Sequence, residues 1–253
     1  VNQIFDTENV DVIFHLAAKT HVDSSFQTPA IFQHVNTHGT RVLLSAASQA
    51  RHKLQRFIYV STDEVYGSSV DEVFDESSPM RPSNPYSASK AAAELLVRLY
   101  WENYKLPVII TRSNNIYGPQ QYIEKVTLSS LLTLFRSALC HSTIHGTLPK
   151  SRHFLFVDDA VNAFLMLLEK GIVGEVYNIG SNCEITIVQL AKELVQNVAV
   201  LCRPEVDIRY PIKCEKLQQL GWKAQVPWPD GIKRTGKTGA YILAIHTTSE
   251  LQY

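Results

Sequence analysis

A tyrosine and a lysine four residues apart form the strongest chemical signal in the sequence. Tyr86 and Lys90 follow Asn84-Pro85, where a helix is predicted to begin. Side chains at positions i and i+4 lie on one face of a helix. An ammonium beside a phenol favours the phenolate, so we expect Lys90 to lower the pKa of Tyr86. Tyr86 is then a candidate base for removing a hydroxyl proton near neutral pH, the alternative being a surface pair without a role.

A hydroxyl and two carboxylates stand together earlier in the chain. Thr62, Asp63 and Glu64 come just after the apolar run Phe57–Val60. Two adjacent carboxylates repel each other as anions, which raises the pKa of one above that of the other and lets one act as acid and the other as base. Taken alone, the segment could also be a solvated acidic loop. Its position after a predicted strand favours a site.

Strands that alternate with helices must position these side chains. Apolar runs predict strands at residues 12–16, 57–60 and 108–110, with helices at about 29–50 and 86–104. This alternation is typical of βαβ units with a parallel sheet, so the predicted fold class is α/β. Ligands bind outside the carboxyl ends of the strands in such sheets. We therefore expect the chemistry at that edge.

The composition excludes several classes of function. The 253 residues are 45% hydrophobic and 19% charged, as in an ordinary globular protein. Since 24 basic side chains balance 24 acidic ones, no nucleic-acid partner is predicted. No apolar run is long enough to predict a membrane span. The four cysteines form no CxxC pair, so no metal site is predicted, and reduced thiols in the cytoplasm are expected.

Three segments carry a resemblance to the extended short-chain dehydrogenase/reductases. They are STDEVYG at 61–67, NPYSASK at 84–90 and TRSNNIYGP at 111–119. Within that family, the triplet Thr62-Asp63-Glu64 resembles that of the dTDP-D-glucose 4,6-dehydratases, whereas related epimerases and decarboxylases usually have other residues in place of Asp63 and Glu64. The resemblance implies a Rossmann-type doubly wound parallel sheet with a smaller substrate-binding lobe. It also implies NAD as cofactor, dTDP-glucose as substrate and a homodimer.

The resemblance implies a sequence of steps. Tyr86 would take the proton of the glucose 4-hydroxyl while NAD takes hydride from C4, and Lys90 would lower the Tyr86 pKa and hold the nicotinamide ribose. Thr62 would hydrogen-bond the reacting hydroxyl. Glu64 would then remove the C5 proton, and Asp63 would protonate the departing C6 hydroxyl so that water leaves. Return of the hydride to C6 would give dTDP-4-keto-6-deoxyglucose.

Further binding residues follow from the resemblance. The residues expected to contact the cofactor are Leu16, Ala17, Ala18, Lys19 and Thr20, with Tyr86 and Lys90. The residues expected to contact the substrate are Thr20, Thr62, Asn115, Lys125, Val126, Arg152 and Arg203. Two of these, Arg152 and Arg203, match arginines that bind the nucleotide diphosphate, a task suited to the guanidinium fork.

The sequence departs from the family at both ends. No GxxGxxG turn precedes Val12, although the backbone amides of that turn bind the cofactor pyrophosphate in the family. We expect a truncation that removes the first strands of the sheet and leaves residues 12–16 as an exposed edge. We also expect poor NAD binding, with an inactive or unstable chain. Beyond about Arg234 the likeness ends, which predicts an altered tail.

Three parts and two alternative functions are therefore predicted. Residues 1–120 would form a partial NAD-binding domain with the catalytic residues, 121–235 mainly a substrate-binding lobe interleaved with the sheet, and 236–253 an atypical tail. One alternative is a sugar-nucleotide epimerase of the same family, which needs no Glu64. The other is a truncated paralogue that binds sugar nucleotide or a partner subunit without catalysis.

Overall fold

The computed structural model describes residues 1–69, 71–121, 142–145, 151–186, 198–201 and 209–235. Two compact units divide the chain between them. The first consists of Val1–Ser113, Asn162–Ile179 and Tyr210–Trp222, and the second of Asn114–Val161, Gly180–Arg209 and Lys223–Tyr253. No helix among the described residues is both long and apolar enough to cross a membrane.

Short strands and helices follow one another along the described residues. The strands are β1 (Val12–His15), β2 (Arg56–Thr62), β3 (Val108–Ser113), β4 (Asn115–Tyr117), β5 (Ser142–His145), β6 (Ser151–Phe156), β7 (Val176–Ile179), β8 (Glu184–Thr186) and β9 (Val198–Leu201). The α-helices are α1 (Asn2–Thr7), α2 (Val22–Gln27), α3 (Pro29–Phe32), α4 (Gly39–Gln49), α5 (Pro85–Tyr104), α6 (Val157–Lys170) and α7 (Glu215–Gln219). Residues 228–235 are also helical.

A parallel sheet forms the centre of the first unit. Its strand order is β1-β2-β3-β7, and every neighbouring pair runs parallel. Every residue of β3 and most residues of β2 are buried, as expected of continuous apolar strands covered on both faces. The predicted α/β class with a parallel sheet is confirmed. As expected, β1 lies at one edge of this sheet, where it pairs with β2 among the described residues and is only partly buried.

Helices α4 and α5 pack on this sheet through a shared apolar core. The core includes Leu44 of α4, Ala93 and Val97 of α5, and Phe57 and Ile110 of the strands. Helix α3 continues into a π-helical segment, Gln33–His38, and then directly into α4. The predicted helix over residues 29–50 is therefore confirmed, although a segment within it has π-helical geometry.

The second unit contains smaller sheets. Strands β4 and β6 pair in parallel, β6 and β8 pair antiparallel, and β5 pairs with β9. An aromatic cluster fills its described core, in which Tyr117 lies against Phe154, Phe156 and Trp228 with ring centroids 4.8–6.0 Å apart. Strands β4 and β8 are not predicted from the sequence because each has only three residues.

A buried ion pair joins α5 to β3. The guanidinium of Arg112 donates to both carboxylate oxygens of Glu94 at 2.7–3.2 Å, and both side chains are essentially inaccessible to solvent. The guanidinium also lies over the ring of Tyr66, 4.6 Å from its centroid. The carboxylate of Glu94 offsets the burial of Arg112 and raises its pKa. Because neither charge reaches water, each buried ion is stabilised only while its partner is present.

We predict that Glu94→Gln destabilises the chain by about 3–5 kcal/mol, because it leaves the Arg112 guanidinium buried without its anion. The double variant Glu94→Leu/Arg112→Met removes both charges and should lose less stability than the single change. Urea unfolding followed by circular dichroism measures both. A single variant that unfolds at the same urea concentration as the original chain would contradict a buried, paired charge.

Candidate active site

The Thr62-Asp63-Glu64 triplet forms a capped turn at the carboxyl end of β2. Strand β2 ends at Thr62, and Asp63–Tyr66 then forms a 3₁₀ helix instead of an open loop. The Thr62 hydroxyl accepts from the backbone N–H of Glu64 at 3.3 Å and donates to Oδ1 of Asp63 at 3.2 Å. Asp63 is only 2% exposed, whereas Glu64 is half-buried. The two adjacent carboxylates therefore occupy different environments.

Helix α5 places Tyr86 beside this triplet. Asn84 caps the helix and Pro85 is its first residue, so Tyr86 lies in the first turn and is 8% exposed. The side chain of Thr62 lies close to the Tyr86 phenol. Burial raises the pKa of Tyr86 well above its usual value, and the nearby carboxylate of Glu64, followed by that of Asp63, raises it further. The phenol is thus held neutral next to two carboxylates.

Lys90 lies one turn further along α5. Its Nζ donates to the carbonyl oxygen of Val60 at 2.7 Å and lies over the ring of Tyr59, 4.3 Å from the centroid. Burial lowers the pKa of Lys90 to about 8. The expectation that Lys90 lowers the pKa of Tyr86 is wrong for the chain by itself, because burial and two carboxylates dominate at Tyr86. Lys90 retains further N–H donors for a hydroxylated ligand.

The loop that follows β1 is held by a residue that the sequence analysis does not identify. This loop contains the candidate residues Leu16, Ala17, Ala18, Lys19 and Thr20. Asn36, which is 1% exposed, accepts from the Lys19 backbone N–H at 2.8 Å and donates to the Lys19 carbonyl at 2.9 Å. It also donates to Oγ of Ser89 at 2.9 Å. Asn36 therefore joins this loop to α5 between Tyr86 and Lys90.

Asn36 lies within the π-helical segment Gln33–His38. Widened turns of this kind are rare and occur frequently at functional sites. Thr37, in the same segment, donates to the carbonyl oxygen of Ser89 at 2.9 Å. A buried asparagine in the middle of a long predicted helix is the signal that could have identified this site, because asparagine competes with the backbone for hydrogen bonds in helix interiors.

The remaining candidate residues belong to the second unit or lie outside the described residues. Asn115 begins β4, and Arg152 lies in β6, where its Nη1 donates to the Ser151 carbonyl at 2.8 Å. Both side chains are half-buried. The candidates outside the described residues are Lys125, Val126 and Arg203. The structure therefore brings together Thr62, Asp63, Glu64 and Tyr86, while the proposed diphosphate contacts remain predictions.

Comparison with known proteins identifies the family. The family model for GDP-mannose 4,6 dehydratase matches residues 1–235. The chain is 51% identical over 249 residues to dTDP-D-glucose 4,6-dehydratase of Homo sapiens, and the match covers 93% of this chain and 70% of that protein. The chain belongs to the dTDP-D-glucose 4,6-dehydratase family. The resemblance drawn from its motifs is thereby confirmed.

Solved structures of sugar-nucleotide dehydratases and epimerases share the fold. DesIV, the dTDP-glucose 4,6-dehydratase of Streptomyces venezuelae with NAD and TYD bound, is 34% identical, with a TM-score of 0.89 over 95% of this chain and 77% of that one. The UDP-glucose 4-epimerase of Thermotoga maritima is 28% identical, with a TM-score of 0.86 over 96% of this chain and 81% of that one. The Rossmann-type fold is confirmed, but dehydratases and epimerases share it, so the site residues must separate the two activities.

Burial of His15 at the end of β1 predicts a dependence of stability on pH. Its Nε2 hydrogen-bonds Oγ1 of Thr40 at 2.9 Å, and burial, with a smaller effect of the Lys90 charge, lowers the His15 pKa to about 4. The unfolded chain therefore binds a proton near pH 6.5 that the folded chain does not, so this group lowers the free energy of unfolding as the pH falls from about 6.5 towards about 4.

Between about pH 7 and pH 5, His15 should lower the free energy of unfolding of the original chain by about 2 kcal/mol. We predict that His15→Gln, which retains an N–H donor for Thr40, abolishes this contribution. Urea unfolding at several pH values measures this change. His52→Gln is the matched control, because His52 lies half-exposed beside Asp11. Parallel stability curves for the original chain and His15→Gln would contradict a buried neutral imidazole.

Proposed function

We propose that this chain is an NAD-dependent hydro-lyase that converts dTDP-glucose to dTDP-4-keto-6-deoxyglucose and water. The observation that carries this proposal is the meeting of Thr62, Asp63, Glu64 and Tyr86 within one unit. The phenol of Tyr86 supplies a proton acceptor for a hydroxyl. The buried carboxyl of Asp63 and the more accessible carboxylate of Glu64 supply the acid and the base for loss of water. The similarity to dTDP-D-glucose 4,6-dehydratase of Homo sapiens supports the substrate.

Lys90 and the backbone of the loop after β1 suit the nicotinamide end of NAD. Lys90 has donors beyond the one that Val60 accepts, which suits ribose hydroxyls. Ala17 and Ala18 have small side chains that allow a ligand to approach the backbone of the loop, and Asn36 fixes that backbone at Lys19. NAD, when bound, would accept hydride from C4 and later return it to C6, while the proton held by Glu64 would return to C5.

Tyr86 and Thr62 act at the 4-hydroxyl in this proposal. The closeness of the two side chains places the phenol next to the hydroxyl that Thr62 would orient. Tyr86 receives the proton of the 4-hydroxyl as C4 is oxidised. Because its pKa is raised in the chain by itself, ionisation of Tyr86 needs additional positive charge near the phenol.

Glu64 and Asp63 divide the elimination between them. The C5–H bond breaks as its proton passes to the carboxylate of Glu64, and a C5–C6 double bond forms. The C6–O bond breaks as Asp63 donates a proton to the leaving hydroxyl, so that water is released. Asp63 is the more buried of the two, and burial favours the protonated form of a carboxyl, which suits the group that donates the proton. Thr20, Asn115, Lys125, Val126, Arg152 and Arg203 are proposed to bind the sugar nucleotide.

Apolar side chains on neighbouring helices support the proposal that the chain forms a homodimer. Ile31 and Val35 are 40–48% exposed, and Leu95 and Leu99 of α5 are 46–58% exposed. Each pair is spaced by four residues, so each forms an apolar stripe on its helix. We also propose a cytoplasmic location, because four cysteines in 253 residues are not the pattern of a disulfide-rich secreted domain.

We predict that Leu95→Glu/Leu99→Glu converts the dimer into a monomer, because it places charge within an apolar interface. Sedimentation velocity measures the mass. Leu165→Glu is the control, since Leu165 is a similarly exposed leucine on α6. A monomeric original chain, or a dimer unaffected by the double change, would contradict this surface as the interface.

The test of function begins with cofactor binding, because the sequence contains no GxxGxxG turn. A rise in melting temperature with NAD indicates binding to the folded state. We then expect the chain to release 4-keto-6-deoxy product from dTDP-glucose, with UDP-glucose as the comparison substrate. Glu64→Gln should lower dehydration at least about 100-fold, and Tyr86→Phe should lower it similarly.

The outcomes separate the proposed function from its alternatives. Conversion of the sugar to its 4-epimer, unaffected by Glu64→Gln, would instead indicate an epimerase. The absence of both an NAD-dependent shift in melting temperature and turnover would indicate a non-catalytic paralogue. Since Gln retains the size of the Glu64 side chain, an unchanged melting temperature in Glu64→Gln shows that lost activity reflects lost chemistry.

A further inference from the structure

Asn84 makes hydrogen bonds in two directions, one of which reaches the proposed base. Its Oδ1 accepts from the backbone N–H of Ser87 at 2.8 Å and so caps α5. Its Nδ2 donates to Oε2 of Glu64 at 3.0 Å. Asn84 is only 7% exposed. One side chain thus joins the start of the helix that carries Tyr86 to the carboxylate of Glu64.

The orientation of the Asn84 amide follows from its partners. A backbone N–H can only donate, so the atom that faces Ser87 must be the oxygen Oδ1. The nitrogen Nδ2 then faces Glu64, where a carboxylate accepts. The backbone is also restrained, because Pro85 follows and the Ser87 hydroxyl hydrogen-bonds both the N–H and the C=O of Asn84.

Capping alone does not require asparagine at this position. Serine, threonine and aspartate cap helices about as well. Serine and threonine have no second polar group that could reach Glu64 while the first caps the helix. Aspartate would place a second carboxylate oxygen against Oε2 of Glu64. Among the favoured capping residues, asparagine is therefore the one that can cap α5 and donate to this carboxylate.

We propose that Asn84 is a positioning residue that orients Glu64 for removal of the C5 proton, an inference that rests on the proposed function. The Asn84 donor fixes the Glu64 carboxylate through Oε2. It also favours the ionised carboxylate that a base requires. It does so without a positive charge, and the titratable groups near Glu64 include Tyr86 and its sequence neighbour Asp63.

The test compares Asn84→Ser, which retains a cap but loses the donor, with Ser87→Ala, which disrupts the capping box and leaves the donor. We expect Asn84→Ser to lower kcat about tenfold with little change in KM. We also expect a larger primary isotope effect with substrate deuterated at C5, because proton removal becomes slower. The acidic limb of the kcat profile should move to higher pH, since Glu64 loses a donor that favours its ionised form. Asn84→Asp should lose more activity than Asn84→Ser.

The control variant decides whether Asn84 does more than cap the helix. Ser87→Ala should lower the melting temperature at least as much as Asn84→Ser but retain the kcat, isotope effect and pH profile of the original chain. Equal kinetic changes in Asn84→Ser and Ser87→Ala, or none in either, would overturn the proposal.

A second measurement needs no cofactor or turnover, so it separates failure of this inference from failure of the proposed function. In ¹⁵N-labelled chain, the Asn84 side-chain NH₂ signals, assigned by their loss in Asn84→Ser, should shift as Glu64 is titrated. They should lose that dependence in Glu64→Gln. Signals that do not respond to pH in the original chain would overturn the proposed hydrogen bond, even if the chain dehydrates dTDP-glucose.

Discussion

The packing of α5 against β2 determines where the proposed catalytic groups lie. The buried stripe of α5 contains Ala93 and Val97, which contact the apolar core, and continues through Lys90 to Tyr86 at the start of the helix. The same apolar burial that fixes the helix therefore carries two polar side chains to the carboxyl end of β2. Any shift of α5 along the sheet would move both of them away from Thr62.

This arrangement places charged and polar groups where solvation is weakest. Burial lowers the pKa of Lys90 to about 8 and raises the pKa of Tyr86, so both side chains are driven towards their neutral forms. The Glu94–Arg112 pair shows the other solution, in which two full charges stay buried because each neutralises its partner. The first unit thus combines a structural pair that keeps its charges with two functional side chains that burial drives towards neutrality. Of these two, Lys90 has a pKa near neutral pH, whereas Tyr86 stays neutral in the chain by itself.

The sequence predicts the main elements of the first unit because their patterns are long and regular. The observed bounds of α5 agree with the predicted ones to within one residue. The apolar parts of β2 and β3 are also predicted, but both strands continue into polar residues, as far as Thr62 and Ser113. Three-residue strands such as β4 have too few residues for a pattern. The sequence predicts the pKa of Tyr86 in the wrong direction, because spacing along a helix does not reveal burial or the nearby carboxylate of Glu64. Asn36 was missed for a similar reason, since its partners are 17 and 53 residues away.

The π-helical segment Gln33–His38 makes the site sensitive to insertions and deletions. A π-turn holds about one residue more than an α-turn, so loss of one residue there would restore a regular α-helix at little cost to helix propensity. Successive residues of an α-helix are about 100° apart around its axis. The deletion would therefore rotate Asn36 relative to Ser89 and Lys19, although every side chain of the site would still be present. The number of residues in this segment is therefore constrained as well as their identity. A variant with one residue fewer could retain every proposed catalytic residue and still lose the hydrogen bonds by which Asn36 joins the loop after β1 to α5.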